Sequence, residues 1–412
     1  MNYLSIRFIP IFLTFLVFLP HAGTGQEDSG FAFDRNRRFI NLPIEVRNNL
    51  AVVPLYINGA GPLYFILDTG VKTTILTEPI ITHLLDLNIE ETILLYGLGG
   101  EGTVQAALAT GVEIRMRGIT GRNMNLIIIP EDILSFSEIF GFPVYGIIGH
   151  DFFRHFPVEI NYPTQTMRVY RDPDYRIRRR STVVPIRLVD GKPYVESRIV
   201  GEAGDTLTTN LLIDLGASSP LYLNREYSFL SDRTIDGYLG KGISGNLLGK
   251  HGRVEKLEIG EAIAIHEPLA AYPDARFLTF HGQLIDWEGI IGGGIIKRFN
   301  VIIDYRSERL VLSRSQFYGE PFSAGMSGIE VMARGPDLRD FTIHYVRPGS
   351  PGYEAGLQSG DKILELNRTG RHYLNMESIL DELSGKEGNY ISMVVQRNEQ
   401  IVRARFRLRQ DI

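Results

Sequence analysis

The chain repeats itself. "YFILDTGVKTTIL" (64–76) has a counterpart in "NLLIDLGASSPLYL" (210–223), and in each an apolar, β-type run delivers an aspartate, one residue and a glycine. Downstream, "VYGIIGHDFFRHFPVEINYPTQTMRVYR" (144–171) matches "WEGIIGGGIIKRFNVIIDYRSERLVLSR" (287–314). Both contain Gly-Ile-Ile-Gly, a segment long enough for one or two helical turns, an Arg-x-Phe or His-Phe exit, and a strand hairpin through Tyr162 or Tyr305. The spacing agrees, with 81 residues from Asp68 to Gly149 and 78 from Asp214 to Gly292. Two copies of one unit are therefore laid end to end, and a fold that suits one must suit the other.

Between these landmarks each copy carries a glycine-rich hairpin candidate, "YGLGGEGTV" (96–104) and "LGKGISGNLLG" (239–249). Both formally satisfy Gly-x-Gly-x-x-Gly. A dinucleotide loop must open a helix, however, and "TVQAALATGVEIRM" after the first copy alternates as a strand does. A mobile β-hairpin over a site explains Gly97, Gly99 and Gly100, and Gly240, Gly242 and Gly245, better. The surrounding segments, such as "LAVVPLYI", "NLIIIP" and "RVEKLEI", are short, β-branched and turn-bounded. A mostly β protein with two β-rich lobes follows.

At 412 residues and 44% hydrophobic, the chain is long enough for two or three cores. Its first residues resemble a secretory signal: Arg7, an apolar run from Phe8 to Leu19, and small residues from Ala22 to Gly25. That run is shorter than the roughly 20 residues a spanning helix needs. We expect cleavage between Ala22 and Gln26 and a periplasmic or secreted product, an uncleaved membrane anchor being the alternative. No later stretch is apolar enough to span a bilayer. The chain has no cysteine, which excludes disulfides, a thiol nucleophile and thiolate-bound zinc. Its net charge of −5, with both signs well mixed, gives no reason to expect a nucleic-acid partner, and the basic run "RIRRR" (176–180) reads as a solvated linker.

Equivalent residues of two like lobes meet at the interface between them, so Asp68 and Asp214 can lie side by side. Two carboxyls in contact share a proton, which supplies a base to activate water and an acid to protonate a leaving amide. Gly70 and Gly216 lack a Cβ and let the lobes approach closely behind the carboxyls. Thr69 can donate its hydroxyl across the interface.

Asp-Thr-Gly after an apolar strand, a glycine-rich flap and Ile-Ile-Gly, all duplicated, resemble the pepsin and retropepsin-like aspartyl proteases, and the compact lobes most resemble the bacterial retropepsin-like group. The resemblance covers about residues 36–315. It implies a catalytic dyad of Asp68 and Asp214 and flaps that close over substrate. Two positions depart from the family pattern: Leu215 replaces a hydroxyl residue, and Val71 stands where a small alanine or serine is usual.

After a boundary at "FYGEPFSAGMSG" (317–328), "IHYVRPGSPGYEAGLQSGDKILELNRTG" (343–370) resembles a PDZ domain of the bacterial protease type. It reads as a turn at Pro348–Pro351, a short helix at Ala355–Leu357, and Gly360-Asp361 leading into a strand. "NMESILDELSG" (375–385) places Met376, Ile379, Leu380 and Leu383 on one helical face, and "RARFRLR" alternates as a strand. A PDZ domain binds a peptide C-terminus by strand addition. The resemblance puts the carboxylate loop at Met326, Ser327, Gly328 and Ile329; a packing module with a closed groove is the alternative.

The sequence thus predicts a signal peptide at 1–25, retropepsin-like lobes at 36–175 and 181–316, and a PDZ domain at 322–410. The reading is an exported aspartic endopeptidase acting on peptide or protein substrates, with no cofactor and no metal. Its rival is a non-catalytic peptide-binding protein with a degenerate cleft. No serine-protease nucleophile motif occurs. His150 and His155 are spaced poorly for zinc.

Overall fold

The computed structural model describes residues 15–16, 29–97, 104–129, 132–173, 175–242, 245–275, 279–280, 283–284 and 288–412. Apart from two residues, the segment read as a signal peptide lies outside them, as do Gly99 and Gly100 of the first glycine-rich hairpin.

The described chain is mostly strand, arranged in several sheets. In the first ten-stranded sheet, Leu50–Ile57 and Ala60–Leu67 form a hairpin in which Val52 faces Ile66. Ala60–Leu67 then runs parallel to Gly146–Ile148, with Leu67 opposite Ile148. Gly146–Ile148 is flanked on its other edge by Ile75–Leu76. Asn88–Gly97 pairs with Val104–Met116 as a long hairpin.

A second ten-stranded sheet uses the other copy of the sequence. Lys192–Val200 pairs with Thr206–Ile213, which runs parallel to Gly289–Ile291 with Ile213 opposite Ile291. Leu221–Leu223 flanks Gly289–Ile291, and Thr234–Gly242 pairs with Gly245–Arg253. The strands that lead to the aspartates are largely exposed at first and fully buried at their ends: Phe65, Ile66 and Leu67 are inaccessible, as is Leu211. Continuous apolar runs are what a strand needs when both its faces are covered.

A six-stranded sheet joins the two copies. Val158–Asn161 from the first lies antiparallel to Phe299–Asp304 from the second, with Ile160 opposite Val301. Short helices at His150–Phe153 and Gly293–Ile296 follow the two Gly-Ile-Ile-Gly segments. One apolar core runs continuously through residues of both copies, from Leu67 and Ile160 to Leu215 and Ile303.

The C-terminal sheet orders Ile329–Arg334, Asp340–Val346, Lys362–Leu366, Tyr390–Arg397 and Gln400–Arg407. Helix Met376–Leu383 starts in a capping box between Asn375 and Ser378. The short helix is not at Ala355–Leu357 but at Pro351–Glu354. Ser350 caps it by accepting the Tyr353 amide, Pro351 opens it, and Gly356, at φ +81°, ends it. Among the described residues no helix is long and apolar enough to cross a membrane.

Candidate active site

The two aspartates stand at matching places. The Asp68 amide donates to the Ile148 carbonyl at 2.9 Å and the Asp214 amide to Ile291 at 3.0 Å. Each carboxylate then accepts the amide two residues on, Gly70 to Asp68 Oδ1 at 2.6 Å and Gly216 to Asp214 Oδ1 at 2.8 Å. These are turn geometries in which aspartate closes its own loop. They hold one oxygen of each group still.

The carboxyls meet. Both aspartates are fully buried, and the Asp214 carboxyl is near enough to act on the Asp68 carboxyl by its charge and as a hydrogen-bonding neighbour. Among the described residues Asp68 Oδ2 accepts from no backbone or hydroxyl donor, so a proton held between the two carboxyls is what can satisfy it. Burial first, then the Asp214 charge and hydrogen bond, hold the Asp68 carboxyl well above the usual carboxylate range; the Gly70 amide and the Lys192 ammonium oppose them.

The glycines make this approach possible, unequally. A Cβ on Gly216 would lie 2.2 Å from Asp68 Oδ2, and one on Gly70 would lie 3.0 Å from Asp214 Oδ2. Thr69 ties the turns together: its hydroxyl donates to the Ile213 carbonyl at 2.6 Å and accepts the Leu215 amide at 3.1 Å. Leu215 has no hydroxyl to return and packs into the shared core. Val71 is likewise fully buried.

Reciprocal contacts surround the pair. Asn49 Nδ2 donates to the Ser218 carbonyl at 2.9 Å, and His150 Nδ1 lies 2.9 Å from the Gly191 carbonyl. Each copy thus presses a turn into the segment after the other's Gly-Ile-Ile-Gly or Asp-x-Gly. Lys192, next to Gly191, feels the charges of both aspartates, which raise its pKa while burial lowers it more. The buried hydroxyl of Tyr305 has no hydrogen-bond partner among the described residues, and burial, with the field of both aspartates, raises its pKa. Thr74 donates its amide and hydroxyl to Asp151 Oδ2, bracing the Asp68 turn against the first Gly-Ile-Ile-Gly helix.

The sequence reading missed Lys192, Asn49, Asp151 and Tyr305. Asp151, directly after Gly-His in one repeat, could have been noticed because the other repeat has Gly294 there. A lone lysine in an Asp-Gly-Lys turn carries no signal.

Of the hairpin glycines, Gly97 ends its strand; Gly240 has φ +131°, and Gly242 faces Gly245 at the narrow end of the second hairpin. Near that end Lys241 Nζ donates to Ser135 Oγ of the first copy at 2.8 Å, so the hairpin reaches across. Met326, Ser327, Gly328 and Ile329 lie away from the aspartates, at the start of the C-terminal sheet. There the Ile329 amide donates to Ser327 Oγ, and Gly328 backs onto Ser350 so closely that a Cβ would lie 2.1 Å from it.

The arrangement brings together two buried carboxyls and a buried bracing hydroxyl. Residues 53–152, which include Asp68-Thr69-Gly70 and the first Gly-Ile-Ile-Gly, match the aspartyl protease family, and residues 342–397 match the PDZ domain family. No curated protein matches the chain. The chain therefore joins an aspartyl protease domain to a PDZ domain.

Proposed function

We propose that the chain is an aspartic endopeptidase whose catalytic dyad is Asp68 and Asp214. Contact between two buried carboxyls drawn from equivalent turns carries this reading. The copies act as pseudo-symmetric lobes at 36–175 and 181–316, followed by the PDZ domain at 322–410. A water between the carboxyls loses a proton to the ionised one as its oxygen bonds to the scissile carbonyl carbon. The other carboxyl supplies its proton, the C–N bond breaks, and the amine leaves protonated. The residues of the two glycine-rich hairpins cover the bound peptide and exclude water.

Burial of both aspartates fits a site that opens only when a hairpin lifts. The apolar N-terminal segment directs export, leaving a periplasmic or secreted enzyme, and the PDZ domain binds peptide. A second reading, a non-catalytic peptide-binding protein, is favoured by Leu215, which removes one of the two hydroxyls that would brace the dyad. A mixed peptide library incubated with the mature protein, Asp68→Asn and Asp214→Asn at about pH 4 to 8, read by mass spectrometry, decides between them. Cleavage lost in both variants supports the dyad. An intact library with all three proteins folded overturns it in favour of the binding protein.

A further inference from the structure

A PDZ domain takes its ligand between the free edge of one strand and the flank of one helix. Here these are Ile329–Arg334, whose only strand partner among the described residues is Asp340–Val346, and helix Met376–Leu383. One stretch of the protease domain touches both walls. Helix Phe136–Phe140 packs along Ile329–Arg334, and Glu138 pairs with Arg334 at the end of that strand. Gly141, at φ +68°, then brings the chain so close to the helix that a Cβ would lie 2.5 Å from Met376 Cβ. Arg47 reaches Glu377 on the same helical turn at 2.9 Å and lies over the Phe142 ring.

The contact is a core. Phe136, Ile139 and Phe140 are buried in one apolar cluster with Met332, Met376 and Ile379, and Phe142 packs edge-on against Phe140 and Tyr64. The carboxylate-loop end is covered too. Tyr238 of the second glycine-rich hairpin sets its ring 5.3 Å from His344, leaving a cavity of about 60 Å³ beside Gly328, Glu330 and Arg347. A ligand pocket is several times larger, about 300 Å³ or more.

We propose that the resident ligand of the PDZ groove is the chain's own segment Phe136–Phe142, and that an apolar peptide with a free C-terminus must displace it to bind. The segment leads directly into Gly146–Ile148, which carries the hydrogen bond to Asp68, and its first neighbour Ser135 holds Lys241 of the hairpin. Displacement therefore loosens both the first aspartate turn and the hairpin above the site. The bound conformation of an external peptide is reached only in the fraction of molecules with the segment out, and its apparent affinity falls by that fraction.

The test uses full-length protein carrying Asp68→Asn, so that no peptide is consumed, and a fluorescein-labelled pentapeptide ending in phenylalanine, beside its C-terminal amide. Glu138→Gln with Glu377→Gln removes the two exposed ion pairs of the contact without touching its core. Gly141→Ala wedges the segment off Met376 without changing charge. Each loosened protein is expected to bind the free-carboxylate peptide about tenfold more tightly than the parent, by anisotropy. Bound peptide is expected to raise amide hydrogen exchange across 134–142. Equal affinity in parent and loosened proteins, binding that leaves that exchange unchanged, or no binding by any of them would overturn the proposal. Neither readout involves cleavage, so either result leaves the protease reading to its own experiment.

Discussion

Thr69 holds the turn of the opposite aspartate by both edges of one peptide stretch, donating to Ile213 at 2.6 Å and accepting from Leu215 at 3.1 Å. All three residues are buried. Thr69→Val keeps the shape and leaves the Leu215 amide without an acceptor, a cost of about 1–3 kcal/mol. It also frees one carboxyl to drift from the other, and cleavage should fall about 10- to 100-fold, because sub-ångström placement of reacting groups matters that much. Thr69→Ser should restore most of both. Paired denaturation and peptide-cleavage rates check it; a Thr69→Val enzyme at full rate would remove the bracing role.

The two glycines should not be interchangeable. At Gly216 a methyl would sit 2.2 Å from Asp68 Oδ2, inside any permissible contact, whereas at Gly70 it would sit 3.0 Å from Asp214 Oδ2. Gly216→Ala is therefore expected to abolish cleavage, and Gly70→Ala to leave a measurable fraction. Circular dichroism of both variants separates a displaced carboxyl from an unfolded chain.

Lys192 opposes burial in the titration of the pair. Its ammonium lowers the Asp68 pKa against burial and the Asp214 charge, which raise it. Lys192→Met removes that cation, so each proton is held to higher pH. Both limbs of the cleavage profile should move upward. Unmoved limbs would mean that the Lys192 charge is not felt at the dyad.

What was legible followed from repetition. Asp68 and Asp214, their glycines and the two Ile-Ile-Gly strands could be paired on the page because each tested the other. Contacts made once were not. Lys192 and Asn49 sit in ordinary polar turns, and only the apposition of the two copies brings them near the aspartates. Phe136–Phe142 reads as core for its own lobe, since apolar residues do not say which partner buries them. The short helix precedes the expected Ala355–Leu357 because the turn expected at Pro348–Pro351 takes in the helix's own start: Ser350 before Pro351 is a helix cap. The closed cover over the PDZ loop belongs to the same class of contacts made only once.

Glu330 makes that cover sensitive to pH. Its carboxyl lies between the second ten-stranded sheet and the PDZ domain, lining the cavity with Tyr238, His251, Tyr345 and Arg347. Burial pushes it up to about 8, with Arg347 pulling the other way. An unfolded glutamate ionises near pH 4.3, so the folded protein binds this proton more tightly. The stability the group contributes is full below about pH 4.3, declines as pH rises, and is gone once pH passes the folded value. Glu330→Gln cannot ionise and escapes that decline. Its melting temperature should match the parent below about pH 4.3 and exceed it by about 2 °C or more at pH 8.5. Arg347 is paired with Asp411 at 2.5 Å, so it is not released by the change to disturb the comparison. Identical melting curves at pH 8.5 would show that Glu330 ionises freely in the folded protein and that the PDZ face against Tyr238 is wet.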